Sequence, residues 1–147
     1  MRRQRNRRLM VIVGCAASLW LSPASASAAP LEVRADHVRP GRGWIRFALY
    51  RGARGFRHEE QAVKVIQVRA TAASVTAQFD DLPPGEYAVI AYHDANEDRK
   101  LDLRFGMFPT EGWGLSNNPH IMGPPSFSAS SFTVNEQGSA IAINLRY

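Results

Sequence analysis

Cysteine is nearly missing from this chain. Its one thiol, Cys15, lies in an N-terminal segment that is expected to be removed, so the remaining chain has no disulfide to draw on. No pair of histidines has a metal-binding spacing: His37, His58, His93 and His120 stand apart, which argues against zinc. No apolar run reaches the roughly 20 residues that a membrane helix needs. No convincing amphipathic helical period occurs either. Excess charge is absent once the N-terminus is set aside. The chain has 18 Lys and Arg against 13 Asp and Glu, and residues 2 to 8 hold five of the arginines and no acid. The rest is balanced at 13 of each, so there is no bulk electrostatic case for binding nucleic acid or an anionic membrane.

The N-terminus has its own logic. Five arginines precede an apolar run from Leu9 to Leu21, followed by Pro23 and the small-residue string Ala24 to Ala29. A basic head, a short apolar middle and an A-x-A site describe a secretory signal peptide, with cleavage expected after Ala28 and Ala26 as the alternative. The expected organisation is a signal peptide over residues 1–28 and a single domain over 29–147, in the periplasm or secreted. Ile12-Val13-Gly14-Cys15 offers a lipoprotein alternative, disfavoured because only Leu9 to Val13 would precede the cut. Residues 29–147 are long enough to bury a substantial core.

Within that domain the apolar residues mostly recur with period two. Leu31, Val33 and Ala35 alternate with charged residues. Ile45, Phe47 and Leu49 alternate next with Trp44, Arg46, Ala48 and Tyr50, then Val75, Ala77 and Phe79 with Ser74, Thr76, Gln78 and Asp80. Val63 and Val65 give way to Ile66 and Val68, a phase change that predicts a bulge or a change of partner. Glu86 to His93 is apolar on both faces and reads as a central strand. An irregular stretch follows from Asp94 to Pro125. Phe127 to Val134 and Ala140 to Tyr147 read as closing strands, with Ile141, Ile143 and Leu145 inward. Phe56 to Ala62 fits one or two helical turns. The expected fold is all-β: an antiparallel β-sandwich of about seven strands, prealbumin-like or Ig-like with Greek-key connections, and one long loop excursion.

The excursion opens with an acidic loop. Asp94, Asn96, Asp98 and Asp102 place side-chain oxygens at relative positions 1, 3, 5 and 9, and Lys100 at position 7 offers its backbone carbonyl. This is the first half of a calcium-loop pattern, since calcium takes 6–8 oxygen ligands. Arg99 stands at position 6, where glycine is usual. Phe105 stands at position 12, where a glutamate is usual, and Glu111 is the nearest later carboxylate. The competing interpretation is a set of Asx turns that need no ion. The expected cofactor is therefore calcium, in a structural or adhesive role.

A second distinctive stretch is Glu111-Gly112-Trp113-Gly114-Leu115-Ser116-Asn117-Asn118. Its glycines suggest unusual backbone angles around Trp113. Phe108 and Trp113 with Asn117 and Asn118 would suit an extracellular glycan or peptide partner. The alternative is that Trp113 packs against the sandwich while the asparagines bond to backbone. His93 is expected to brace the loop through both ring nitrogens. A hydrolase would use Ser116 with His93 or His120 and Asp94 or Glu111, but Ser116 lacks the Gly-x-Ser-x-Gly elbow. Asp102 and Glu111 are the only pair suggested for glycoside hydrolysis. Catalysis is the least favoured class.

These residues together resemble a known family. Gly43 to Tyr50, Gly55-Phe56, Leu82-Pro83-Pro84-Gly85-Glu86-Tyr87-Ala88-Val89, His93-Asp94-Ala95-Asn96, Asp102, Pro109 to Asn118 and Pro124 to Phe127 resemble the exported bacterial domains called DUF2141. The resemblance spans nearly the whole domain and implies an exported β fold without implying an activity. The family's loop is similar to His-Asp-x-Asn-x-Asn-Gly-x-Leu-Asp, and this chain departs from it at Asp98 and Arg99. The Leu-Pro-Pro-Gly-x-Tyr lead-in also resembles prealbumin-like and Cna B-type modules, some of which hold calcium in an acidic loop after this strand.

Overall fold

The computed structural model describes residues 28–147. The expected signal peptide and Cys15 therefore lie outside the described residues, apart from Ala28 at the expected cleavage point. Alternating apolar residues build the first strands. β1 (Ala29–Asp36) buries Leu31, Val33 and Ala35 and turns Glu32 and Arg34 to solvent. β2 (Trp44–Arg51), β3 (Lys64–Arg69), β4 (Ser74–Leu82) and β5 (Gly85–Asp94) follow. A single 3-10 turn at Glu59–Gln61 lies between β2 and β3, within the predicted helical stretch.

Two sheets result. One has the order β10–β1–β4, where β10 is Ser139–Asn144. The other runs β3–β2–β5. The far edge of β5 is shared by two short strands. β8 (Trp113–Leu115) pairs with Ile90 to Tyr92, and β9 (Phe132–Val134) pairs with Gly85 to Tyr87. The inner faces meet in one core that includes Leu31, Val33, Phe79 and Ile143 from the first sheet and Ile45, Phe47, Tyr87 and Val89 from the second. Burying each such side chain contributes about 1.5–3 kcal/mol. The fold is thus all-β, with ten strands among the described residues.

The outer face of the second sheet is covered too. Ala48 and Tyr50 of β2, Ala88 and Ile90 of β5 and Leu115 of β8 pack with Phe56 in a second apolar cluster. Phe56 stacks edge-on against Tyr50 at 5.2 Å and against Phe127 at 5.8 Å. The loops on either side of the second sheet are thereby clamped to its outer face. β5 is buried on both faces, as its sequence predicts.

Three expectations change. β3 has no bulge: its register with β2 runs unbroken from Trp44↔Arg69 to Leu49↔Lys64. The phase change arises because Val65 packs against the outer cluster while Ile66 and Val68 pack against the main core. The register shift that does occur lies between Ala29 and Leu31, against β4. β10 pairs with β1 in parallel, so the first sheet is mixed rather than antiparallel. Phe127 to Ser130 is one helical turn, α1, and the strand begins only at Phe132. There the Ser126 hydroxyl accepts the Ala129 N–H at 3.3 Å, and the small polar run Ser-Ala-Ser has no alternating face to bury.

Candidate functional site

The excursion leaves the end of β5. Asp94, the last residue of that strand, is 1% exposed. Its Oδ1 accepts the Asp98 N–H at 3.1 Å and its Oδ2 accepts the Arg99 N–H at 3.0 Å. Asn96 Oδ1 also accepts the Asp98 N–H, at 3.2 Å, and Asp98 Oδ1 accepts the Lys100 N–H at 2.8 Å. Each residue thus caps a backbone group two to five positions on, the behaviour of Asx turns. Glu97 and Arg99 take left-handed backbone angles, with φ of 64° and 66°. Arg99 therefore adopts the conformation in which glycine is usual.

The remaining two acids close the loop. Asn96 Nδ2 donates to Asp102 Oδ2 at 3.0 Å. Glu111 spans the base, accepting the Ala95 N–H at 3.0 Å through Oε1 and the Asp102 N–H at 3.2 Å through Oε2. Five of the six residues predicted as metal ligands, Asp94, Asn96, Asp98, Asp102 and Glu111, thus share one hydrogen-bond network, and Lys100 joins it through its N–H. Among the described residues, no three His, Cys, Asp or Glu side chains converge as a ready metal cluster.

His93 does what its ring permits. Nε2 lies 2.9 Å from the Arg42 carbonyl and Nδ1 lies 2.9 Å from the Tyr147 hydroxyl. The Tyr147 oxygen also accepts the Arg39 N–H at 3.0 Å. A carbonyl can only accept, so Nε2–H donates to Arg42, while Nδ1 pairs with the Tyr147 hydroxyl. His93 is fully engaged as a brace.

Ser116 has an equally structural post. β8 and β9 leave a gap on the edge of β5 at Val89. Ser116 fills it: its N–H donates to the Val89 carbonyl at 3.0 Å and its Oγ accepts the Val89 N–H at 2.9 Å. The hydroxyl also points at the Ser130 carbonyl, and the residue is 0% exposed. Val89 and His93 are four positions apart on β5, or about 13 Å at strand rise. The structure does not bring Ser116 and His93 together as nucleophile and base.

The proposed sugar or peptide contacts are dispersed in the same way. The Asn117 amide donates to the Ser131 carbonyl, and the Asn118 amide to the Ala142 carbonyl at 2.9 Å. Asn118 Oδ1 accepts the Asn144 N–H at 2.7 Å, which fastens the excursion to β10. Trp113 packs half-buried on the outer cluster and exchanges both backbone hydrogen bonds with Arg146. The cleft beside it holds about 10 Å³, room for one water at most. Phe108 lies elsewhere, in a small hairpin of β6 (Leu103–Arg104) and β7 (Phe108–Pro109).

The glycines beside Trp113 act through space rather than backbone angle. Neither has a positive φ. A Cβ on Gly112 would overlap the Tyr147 ring, and one on Gly114 would sit 2.6 Å from Ile143 Cγ2 and 2.7 Å from the Asn144 carbonyl. The expectation of unusual angles gives way to close approach between the excursion and both β10 and the residues that follow it.

A network on the second sheet escaped the sequence reading. Arg46 is buried and donates to Tyr92 Oη at 2.9 Å, to Gln67 Oε1 at 2.8 Å and to the Glu59 carboxylate. Tyr92 Oη in turn lies 2.8 Å from Glu59 Oε2 and 3.3 Å from the Arg99 carbonyl. Burial and the adjacent Glu59 push the Tyr92 phenol above its ordinary range. Burial opposes the charge on Arg46, but Glu59 and Tyr92 hold its guanidinium protonated beyond the usual value. The only sequence signal was an arginine at an otherwise apolar strand position.

Comparison with known families gives one match. The model for uncharacterized proteins conserved in bacteria, DUF2141, covers residues 33–142. The chain belongs to that family. No curated protein and no solved structure matches it. Among the described residues no helix is long and apolar enough to cross a membrane.

Proposed function

We propose that this DUF2141 member is an exported, non-catalytic module with a structural or adhesive role, in which the Asp94–Asp102 loop takes up one calcium ion. We read the fold more finely as a prealbumin-like or Ig-like sandwich with Greek-key connections, and the shared core between its two sheets supports that reading. The leader-like N-terminus supports export.

One observation carries the calcium reading: Arg99 holds φ at 66°, so the backbone curls as a glycine at position 6 would curl it. Along the curl the oxygens of Asp94, Asn96 and Asp98 each accept a backbone N–H. Each carboxylate or amide oxygen has two lone pairs, so a backbone bond leaves one for a cation. The donor set is entirely hard oxygen, which suits calcium over zinc. Asp98 is exposed and Asp102 half-buried, and both would rotate inward to complete the shell, with the Lys100 carbonyl between them. Glu111 already spans the loop base and would hold it rigid.

A ligand that binds only the folded state raises its stability. Calcium in millimolar excess is expected to raise the melting temperature of the wild type above its value in chelator, and Asp98→Ala is expected to lose that difference. Equal melting of the wild type in calcium and in chelator would end the metal reading and leave the hydrogen-bonded loop as a purely internal brace.

A further inference from the structure

One hydroxyl stands between two loops. Tyr92 of β5 and Arg46 of β2 are cross-strand partners, 4% and 9% exposed. Arg46 Nε donates to Tyr92 Oη at 2.9 Å. Burial, with Glu59 beside it, keeps the phenol protonated. That one proton has two acceptors within reach. Glu59 Oε2, from the turn Glu59–Gln61, lies 2.8 Å away, and the Arg99 carbonyl, from the acidic loop, lies 3.3 Å away. A hydroxyl donates once, and the shorter distance gives the proton to Glu59. Among the described residues no hydrogen bond or ion pair joins the Glu59–Gln61 turn directly to the Asp94–Asp102 loop. In hydrogen bonds the two meet only through Tyr92.

The acidic loop has a use for the same proton. Arg99 is exposed, so its side chain gains no burial to offset a φ of 66°. Its backbone groups hold the angle instead. The N–H donates to Asp94 Oδ2 at 3.0 Å, and the carbonyl faces the Tyr92 hydroxyl. Tyr92 and Asp94 are two positions apart on β5 and so share one face of the sheet. Of the two ties, the one to Asp94 is complete and the one to Tyr92 is contested.

We propose that the Tyr92 hydroxyl is a two-position latch between the Glu59–Gln61 turn and the acidic loop. Donated to Glu59, its proton steadies the turn and leaves the Arg99 carbonyl loosely held. Donated to Arg99, it fastens the loop in its left-handed curl. Whatever draws Glu59 away from Tyr92 thus tightens a loop that Glu59 itself does not bond. The latch concerns the shape of the loop and does not rest on the calcium reading.

Glu59→Gln throws the latch by chemistry alone. Arg46 can only donate, so its Nη2 group claims the single amide oxygen and leaves the amide NH2 facing Tyr92. The Tyr92 oxygen accepts it beside Arg46 Nε, and the hydroxyl proton is left with the Arg99 carbonyl. The test is backbone hydrogen exchange in chelator at the Asp98 and Arg99 amides, referred to the amides of the β2–β5 ladder. Both loop amides bond to Asp94, and neither variant changes their covalent neighbours. Glu59→Gln is expected to slow them about fivefold, the weight of one net hydrogen bond. Tyr92→Phe keeps the ring and removes the proton, and is expected to speed them by about as much. Glu59→Gln added to Tyr92→Phe is expected to change nothing further. The opposite signs matter, because a general loosening of the sheet would speed exchange in both single variants. Faster or unchanged exchange in Glu59→Gln would overturn the latch, as would unchanged exchange in Tyr92→Phe or the same slowing with Tyr92→Phe in place. Glu59 is partly exposed, so Glu59→Gln decides the question by itself if Tyr92→Phe does not fold.

Discussion

Glu111–Asn118 and Leu103–Phe108 belong to one excursion and carry similar aromatic and aliphatic side chains, yet the fold treats them oppositely. The first is drawn in. Trp113 and Leu115 pack on the outer cluster, Ser116 completes the edge of β5, and Asn118 fastens onto β10. The second projects, with Phe105, Met107 and Phe108 open to solvent. The most motif-like residues of the chain, Glu-Gly-Trp-Gly-x-Ser-Asn-Asn, thus serve architecture, and the plainest ones, Phe-Gly-Met-Phe, stay outside the core. A distinctive motif can arise because one backbone groove admits only glycine and one orphan N–H needs a hydroxyl. An apolar turn that gives nothing to the core has no such internal reason.

The largest effect that separates the two stretches is expected at Asp94, where the excursion is rooted. Its buried carboxylate accepts two backbone N–H groups. Asp94→Ala orphans the Arg99 N–H and leaves the Asp98 N–H only its bond to Asn96, and is expected to cost about 3 kcal/mol, measured by chemical unfolding in chelator so that no metal contributes. Leu103→Ser at the tip is expected to change stability by less than about 0.5 kcal/mol in the same experiment. Comparable losses at the two sites would dissolve the contrast. A smaller effect is expected at Ser116. Replacing it with alanine leaves the Val89 N–H buried and unpaired between β8 and β9, at about 2 kcal/mol. Hydrogen exchange should then show the Val89 amide losing protection, while the β2–β5 ladder, paired from Trp44↔Asp94 to Arg51↔Tyr87, keeps its own.

The sequence carried the strands and their faces because period-two alternation is a local property. β1, β4 and the doubly buried β5 were legible from Leu31, Phe79 and the run from Tyr87 to Tyr92. Partner identity is non-local. Nothing in Ser139–Asn144 indicates that β10 lies parallel to β1, since apolar alternation is the same for either direction. The β3 phase change was visible but misread, because local pattern cannot tell a bulge from a strand with apolar neighbours on both sides. At the candidate site, the Asx spacing of Asp94, Asn96 and Asp98 and the bracing of His93 were readable from side-chain chemistry. Tyr147 and Arg42, the partners of His93, are 54 and 51 positions away and could not be read. The exposure of Phe105 was hidden for the same reason: sequence shows an apolar residue, and only packing shows that nothing covers it.

The smallest effect probes how completely the excursion and the Phe56 loop cover the second sheet. Tyr50 lies under that cover, 2% exposed, in edge-on contact with Phe56. Burial, with Glu59 and Glu60 nearby, pushes its phenol well above the ordinary value of 10.0. When the folded state holds the proton more tightly, the associated stability is fully present below the unfolded value. It is lost as pH rises from about 10, because the unfolded chain ionises first. Each such proton adds a slope of about 1.4 kcal/mol per pH unit in that range. Tyr92 and Tyr147 are shifted in the same direction, so they contribute to the alkaline loss as well. Tyr50→Phe keeps the ring and its packing. It is expected to leave stability near neutrality almost unchanged and to make the decline above pH 10 shallower by one proton. Urea unfolding followed by circular dichroism at pH 8, 10 and 11 measures this directly. An unchanged alkaline slope would mean that water already reaches the phenol, and that the loops lie more loosely on this face than the Tyr50–Phe56–Phe127 stack indicates.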